Sequence, residues 1–103
     1  MTKLYKYPKI AINMGTTLLQ IKVLPESPET DLESIKQAGQ EKIKEQNGQI
    51  VQYDEEPVAF GLKALIATLA WPEEKDTEIV EKIFKEIQGV SAVDIIDYRR
   101  AVG

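Results

Sequence analysis

The apolar positions of the chain follow two periods. From Thr17 to Leu24, Leu19, Ile21 and Val23 alternate with Gln20 and Lys22, a strand rhythm that Pro25 ends. After the loop Glu26-Ser27-Pro28-Glu29, the spacing changes. Leu32, Ile35, Gly39 and Ile43 follow at three, four and four residues, one face of a helix. Thr30-Asp31-Leu32-Glu33 opens it as a capping box, with Thr30 accepting from an early backbone N–H and Glu33 reaching back. Asn47-Gly48 closes it, because both residue types tolerate left-handed backbone. Gly39 on the apolar face costs about 1 kcal/mol against alanine, so close packing on a sheet is expected there. Lys36, Lys42 and Lys44 read as the solvated side. Gln49 to Tyr53 is a second strand and Leu62 to Trp71 a third. The third is apolar on both faces, so it is expected to be central or to have its second face covered. Asp76 or Thr77 caps a second helix carrying Ile79, Val80, Ile83, Phe84 and Ile87, and Gly89 stops it. Val90 to Arg100 is the last strand.

Strand, helix, strand, strand, helix, strand is the order of the α+β ferredoxin-like sandwich: a four-stranded antiparallel sheet with both helices on one face. Burying the two helical stripes leaves the opposite sheet face for solvent, a partner or the N-terminal leader. Residues 1–14 form that leader and residues 15–103 the domain. Within the leader, Lys9-Ile10-Ala11-Ile12 could add a short strand on an exposed edge, or the leader could be a disordered tail. Met14-Gly15 reads like a second possible start.

Composition removes whole classes of function. There is no cysteine and no histidine, so disulfides, thiolate metal sites, thiol nucleophiles and the usual general base are absent. A cytoplasmic location is the expectation, since the N-terminus lacks an apolar signal core and no run is long enough for a membrane span. The net charge of −4 argues against direct nucleic-acid binding. The positive charge is uneven, with Lys3, Lys6 and Lys9 at the start and Arg99-Arg100 at the end. As a plain reading, the two arginines are a solvated basic terminus.

No GxxxxGK[ST] loop is present, so no nucleotide cofactor is expected, nor any metal. The carboxylate pairs Glu55-Glu56, Glu73-Glu74 and Asp94 with Asp97 read as solvated charge in or near loops. The most distinctive stretch is Glu55-Glu56-Pro57-Val58-Ala59-Phe60-Gly61-Leu62-Lys63-Ala64-Leu65. Pro57 fixes φ and lacks an N–H, while Gly61 permits a bulge or close backbone approach. Phe60 between them, with Lys63 nearby, is either a core side chain at a strand junction or an aromatic tip offered to a partner. Composition leaves both readings open. What remains is a protein-binding module or a small-molecule regulatory or homodimeric interaction domain of the same fold.

Three blocks in order carry a resemblance. Val23-Leu24-Pro25-Glu26-Ser27-Pro28 with Asp31-Leu32-Glu33, then the Glu55–Leu65 stretch, then Gly89-Val90-Ser91-Ala92-Val93-Asp94 leading to Tyr98-Arg99-Arg100 resemble the archaeal translation elongation factor 1-beta family. The similarity runs from about Met14 to Arg100. It implies a guanine-nucleotide exchange factor for the GTPase elongation factor 1-alpha, without covalent chemistry; a monomer is the expectation, with the oligomeric state left open by the sequence. It also implies an aromatic residue in the proline-to-glycine loop that packs on the GTPase, matching Phe60 with Gly61 and Lys63 beside it. A basic residue near the C-terminus is implied to intrude where the GTPase holds Mg²⁺, matching Arg100 or its neighbour Arg99.

Overall fold

The computed structural model describes residues 16–100, the Arg100 side chain excepted. The expected leader strand at Lys9–Ile12 and the residues after Arg100 lie outside the described residues. Strands β1 (Thr16–Pro25), β2 (Gln49–Pro57), β3 (Lys63–Pro72) and β4 (Val90–Arg100) form one sheet in the order β2-β3-β1-β4. All neighbouring pairs are antiparallel. Helices α1 (Leu32–Glu45) and α2 (Glu78–Lys85) follow β1 and β3. The predicted ferredoxin-like sandwich is therefore the fold.

β1 alternates strictly: Leu19, Ile21 and Val23 are buried, while Leu18, Gln20 and Lys22 are half-buried on the other face. The buried set meets Leu65, Leu69 and Trp71 of β3 and Ile35, Ile43, Val80 and Phe84 of the helices in one core. β3 lies between β2 and β1, and Ala64 and Ala70 on its second face are buried as well. Its apolarity on both sides follows from that central place.

Helix α1 differs from the expected box. Its N-cap is Asp31, whose Oδ1 accepts from the Glu33 N–H at 3.1 Å. The Thr30 hydroxyl is engaged one turn earlier, accepting from the Ser27 N–H at 3.2 Å. At the other end Asn47 takes φ 69°, the Asn47 N–H donates to the Lys44 carbonyl and the Gly48 N–H to the Ile43 carbonyl. This is a Schellman closure with asparagine in the left-handed position. Gly48 serves space rather than conformation, since a Cβ there would lie 2.8 Å from Ile43 and Trp71 atoms. Gly39 does pack closely, but against helix α2 as well as the sheet: a Cβ would lie 2.5 Å from the Phe84 ring and 3.0 Å from the Tyr53 hydroxyl.

Lys36 is not a solvated lysine. Its ammonium reaches Glu33 at 3.0 Å and Glu55 of β2 at 3.4 Å, and the Tyr53 hydroxyl donates to the Lys36 carbonyl at 2.9 Å. The hydrogen bond that Lys36 donates to Glu33 does most to hold it above the ordinary lysine range; partial burial opposes it and Glu55 adds to it. Burial alone pushes the Tyr53 hydroxyl well above the usual tyrosine value. At the opposite end of α1, Lys75 donates to the Gln46 carbonyl at 2.7 Å and to its Oε1 at 3.0 Å, while Trp71 Nε1 donates to the Lys75 carbonyl. A cation over the last helical carbonyls also opposes the negative end of the helix dipole.

β4 carries a bulge. Ile95 faces Ile21, but the next paired residue, Asp97, faces Gln20, so Ile96 is extra. Past it Tyr98 stands across from Leu19 and Arg99 across from Leu18.

Candidate functional site

β2 continues four residues beyond its expected end at Tyr53, through Glu55 and Glu56 to Pro57, which pairs with Lys63. The carboxylates of this stretch are thus strand residues and not loop charge. They point to opposite sides of the sheet, Glu55 toward Lys36 on α1 and Glu56 toward Lys22 on β1 at 3.6 Å. Pro57 sits at the last paired position of an edge strand, where a missing donor is tolerated.

The connection that follows is a single 3₁₀ turn, Ala59–Gly61. It is closed by two backbone bonds: the Val58 N–H donates to the Leu62 carbonyl at 2.9 Å and the Leu62 N–H to the Ala59 carbonyl at 3.2 Å. Inside this clasp Phe60 takes φ 63° and ψ 28°, and Gly61 φ 74°. Left-handed backbone costs a non-glycine residue roughly 1–2 kcal/mol. Phe60 takes that conformation and is 92% exposed. The core reading of Phe60 is overturned, because the turn carries the ring away from the sheet. An exposed ring on a closed, strained turn is what a preformed contact requires.

The turn does not stand alone. The loop between β1 and α1 comes up beside it, and a Cβ on Gly61 would lie 3.9 Å from Pro28. That is ordinary contact, so backbone conformation and not space favours glycine here. Ser27 and Thr30 hold this loop in shape: the Thr30 N–H donates to the Ser27 carbonyl and the Glu29 N–H to the Ser27 hydroxyl, both at 3.2 Å. Between the two loops runs a groove of about 210 Å³ lined by Pro25, Ser27, Pro28, Thr30, Gly61 and Lys63. The Ser27–Thr30 wall was not visible as part of a site in the sequence. Its Ser-Pro pair signalled only a connection.

The arginines are elsewhere. Pro25, Pro57, Lys63 and Val90 mark one end of the sheet, whereas Thr17 pairs with Arg100 at the other. Ten residues of β1 at ~3.3 Å each put about 30 Å between these ends. Phe60, Gly61 and Lys63 come together, and Arg99 and Arg100 do not join them. Arg99 is 74% exposed and meets only Asp97, at 3.4 Å, among the described residues. Asp94, across from Lys22, and Asp97 belong to the face away from the helices. Among the described residues no group of three or more carboxylates could hold a metal ion, and no helix is long and apolar enough to cross a membrane.

The sheet thus carries an exposed aromatic clasp at one end and an exposed arginine at the other. The description "EF-1 guanine nucleotide exchange domain" belongs to the family model that matches residues 18–101. Elongation factor 1-beta of Methanothermobacter thermautotrophicus is 43% identical over 88 residues, covering 84% of this chain and 98% of that protein. The elongation factor 1-beta of Methanosarcina barkeri is 44% identical over 95 residues, covering 84% and 99%, and that of Thermofilum pendens 37% identical over 92 residues, covering 87% and 100%. The chain belongs to the EF-1 guanine nucleotide exchange domain family, and its function is guanine-nucleotide exchange in translation elongation.

Proposed function

We propose that the chain accelerates GDP release from elongation factor 1-alpha by gripping the GTPase at two points. Phe60 anchors one end, with Gly61 and Lys63 beside it, and Arg99 or Arg100 acts near the Mg²⁺ and phosphates at the other. The observation that carries this reading is the Phe60 ring, 92% exposed on a turn whose backbone is locked. A buried aromatic anchor in a partner pocket is typically among the few residues that dominate an interface.

A GTPase holds GDP through its phosphate-loop N–H groups, a lysine and Mg²⁺. A factor that binds the nucleotide-free form more tightly must weaken nucleotide binding by the same coupling, since linkage is reciprocal. An arginine brought toward the metal adds like charge and competes for phosphate oxygens, and each 1.4 kcal/mol removed from the release barrier gives about tenfold in rate. The factor supplies no acid, base or nucleophile to this process, takes no cofactor, and works as a cytoplasmic monomer.

The test is release of a fluorescent GDP from elongation factor 1-alpha of the same source at fixed Mg²⁺. Substoichiometric protein is expected to accelerate it. Phe60→Ala is expected to lower the acceleration by about 10- to 100-fold, the range of a lost anchor, with stability changed by less than ~0.5 kcal/mol. Arg99→Ala/Arg100→Ala is expected to leave binding of the nucleotide-free GTPase largely intact while reducing the Mg²⁺ sensitivity of release. No acceleration by a folded sample would end this reading, and unchanged exchange in the arginine variant would end its Mg²⁺ part.

A further inference from the structure

The sheet face turned away from the helices is part apolar and part acidic. Leu18, Leu24 and Ile66 are half-buried along its middle strands. Asp54 and Glu56 of β2 and Asp94 and Asp97 of β4 flank them, against Lys22 and Arg99 alone of opposite sign among the described side chains. Lys22 is engaged with Glu56 and Arg99 with Asp97, so no ion pair among the described residues uses Asp54 or Asp94.

One segment of the chain has the complementary make-up. Residues 1–15 hold Lys3, Lys6 and Lys9, no carboxylate, and Leu4, Tyr5, Tyr7, Ile10 and Ile12 interleaved with the lysines. They carry +3 of the chain's net −4, which leaves −7 on residues 16–103. Their attachment point is also suitable. β1 is a central strand, so the leader enters at Thr16 in mid-sheet and not at an edge. Fifteen residues at ~3.3 Å each reach about 50 Å, against a face about 30 Å long and about 15–20 Å wide.

We propose that residues 1–15 dock across this open sheet face, with Lys3, Lys6 and Lys9 meeting the carboxylates of β2 and β4 and the interleaved apolar residues covering Leu18, Leu24 and Ile66. Tethering makes the contact intramolecular, at an effective concentration in the millimolar range, so weak individual contacts suffice. The leader then shields the apolar strip from a second copy of the chain. Phe60 and its clasp, at the sheet end, remain clear of it.

The chain has no cysteine, so Thr2→Cys gives a single attachment site for a nitroxide label on the full-length protein. Side-chain methyl signals of Leu18, Leu24 and Ile66 are expected to lose intensity selectively, because docking holds the label against that face. Those of Ile79 and Ile83 on the helix side are expected to keep theirs. The triple variant Lys3→Glu/Lys6→Glu/Lys9→Glu is expected to restore the open-face signals without moving the helix-side ones. Loss confined to the outer backbone of β2 or β4 would mean strand addition at an edge and would overturn the proposal. Loss in a mixture of labelled and isotope-bearing molecules would place the leader on a second copy and overturn it too. Absence of selective loss, or loss that survives the triple variant, would do the same.

Discussion

Phe60 is held in an expensive conformation on a surface where it makes no structural return. A glycine at φ 63° would remove the strain, and truncating a side chain that is 92% exposed loses almost no packing. Phe60→Gly is therefore expected to raise stability by about 1 kcal/mol in a denaturant melt, while the acceleration of GDP release falls as far as in Phe60→Ala. A drop in stability would show that the ring supports the fold after all. Tyr53 gives a second residue-level expectation. Its hydroxyl is raised by burial and bonded to the Lys36 carbonyl. Below pH ~10 the tyrosine is neutral in both states and contributes no pH dependence. Above that the unfolded chain ionises first, and stability falls as pH climbs toward the folded value. The raised Lys36 acts in the same direction, its ion pairs stabilising below the ordinary lysine range and fading above it. Tyr53→Phe should lower stability near neutrality by about 1 kcal/mol for the lost hydrogen bond, yet flatten the alkaline limb of a pH–stability profile. An unchanged limb would remove Tyr53 from the alkaline response. Proline, aromatic and glycine in succession made the Phe60 turn conspicuous in the sequence. The direction of the ring was not legible, because only the clasp between Val58 and Leu62 decides which way a left-handed residue points.

The elements themselves were readable from period and punctuation, and the misreadings are cases where a side chain found a better partner. Thr30 looked like a cap, but its hydroxyl is committed to Ser27, and Asp31 takes the cap position. Lys36 looked solvated because Glu55 is nineteen residues away in sequence and reaches it only through the β2–α1 contact. β4 shows the limit of a two-residue period. Counting onward from Val93 and Ile95, Asp97 and Arg99 would fall on the core side. The extra Ile96 shifts the count, so both face outward and Tyr98 takes the Leu19 side. A regular ladder would have put the Asp97 carboxylate across from Leu19 in place of the Tyr98 ring. Deleting Ile96 keeps every downstream pairing and should leave a cooperative thermal transition; its loss would show that the bulge itself is structural. Gly39 allows a test of two opposed effects. Gly39→Ala gains about 1 kcal/mol of helix propensity, but its Cβ would lie 2.5 Å from the buried Phe84 ring. Overpacking of this kind costs about 1–3 kcal/mol. The net expectation is a loss of stability, read in a denaturant melt, and a gain would mean that Phe84 moves freely.

At the scale of the molecule, the order of elements and their periods sufficed for the fold, since helices after the first and third strands leave few ways to close a four-stranded sheet. The candidate site was legible only in pieces. Phe60 and the arginines were grouped because both belong to one expected partner, whereas the pairing of β1 with β3 and β4 sends them to opposite ends. Under the two-point grip proposed above, that separation makes mechanical rigidity a functional quantity. β1 is hydrogen-bonded along both sides over nearly its whole length, which makes it a girder between the aromatic clasp and the arginines. A partner held at one end feels a displacement at the other only as far as that girder resists bending. Softening its support, as in Leu69→Ala of β3, which stands across from Leu19 in the core, at a cost of about 2–5 kcal/mol, should slow nucleotide release below the melting transition although neither end has been touched. Release rates that stayed at the original value would mean that the two ends act as separate grips and that no load passes between them.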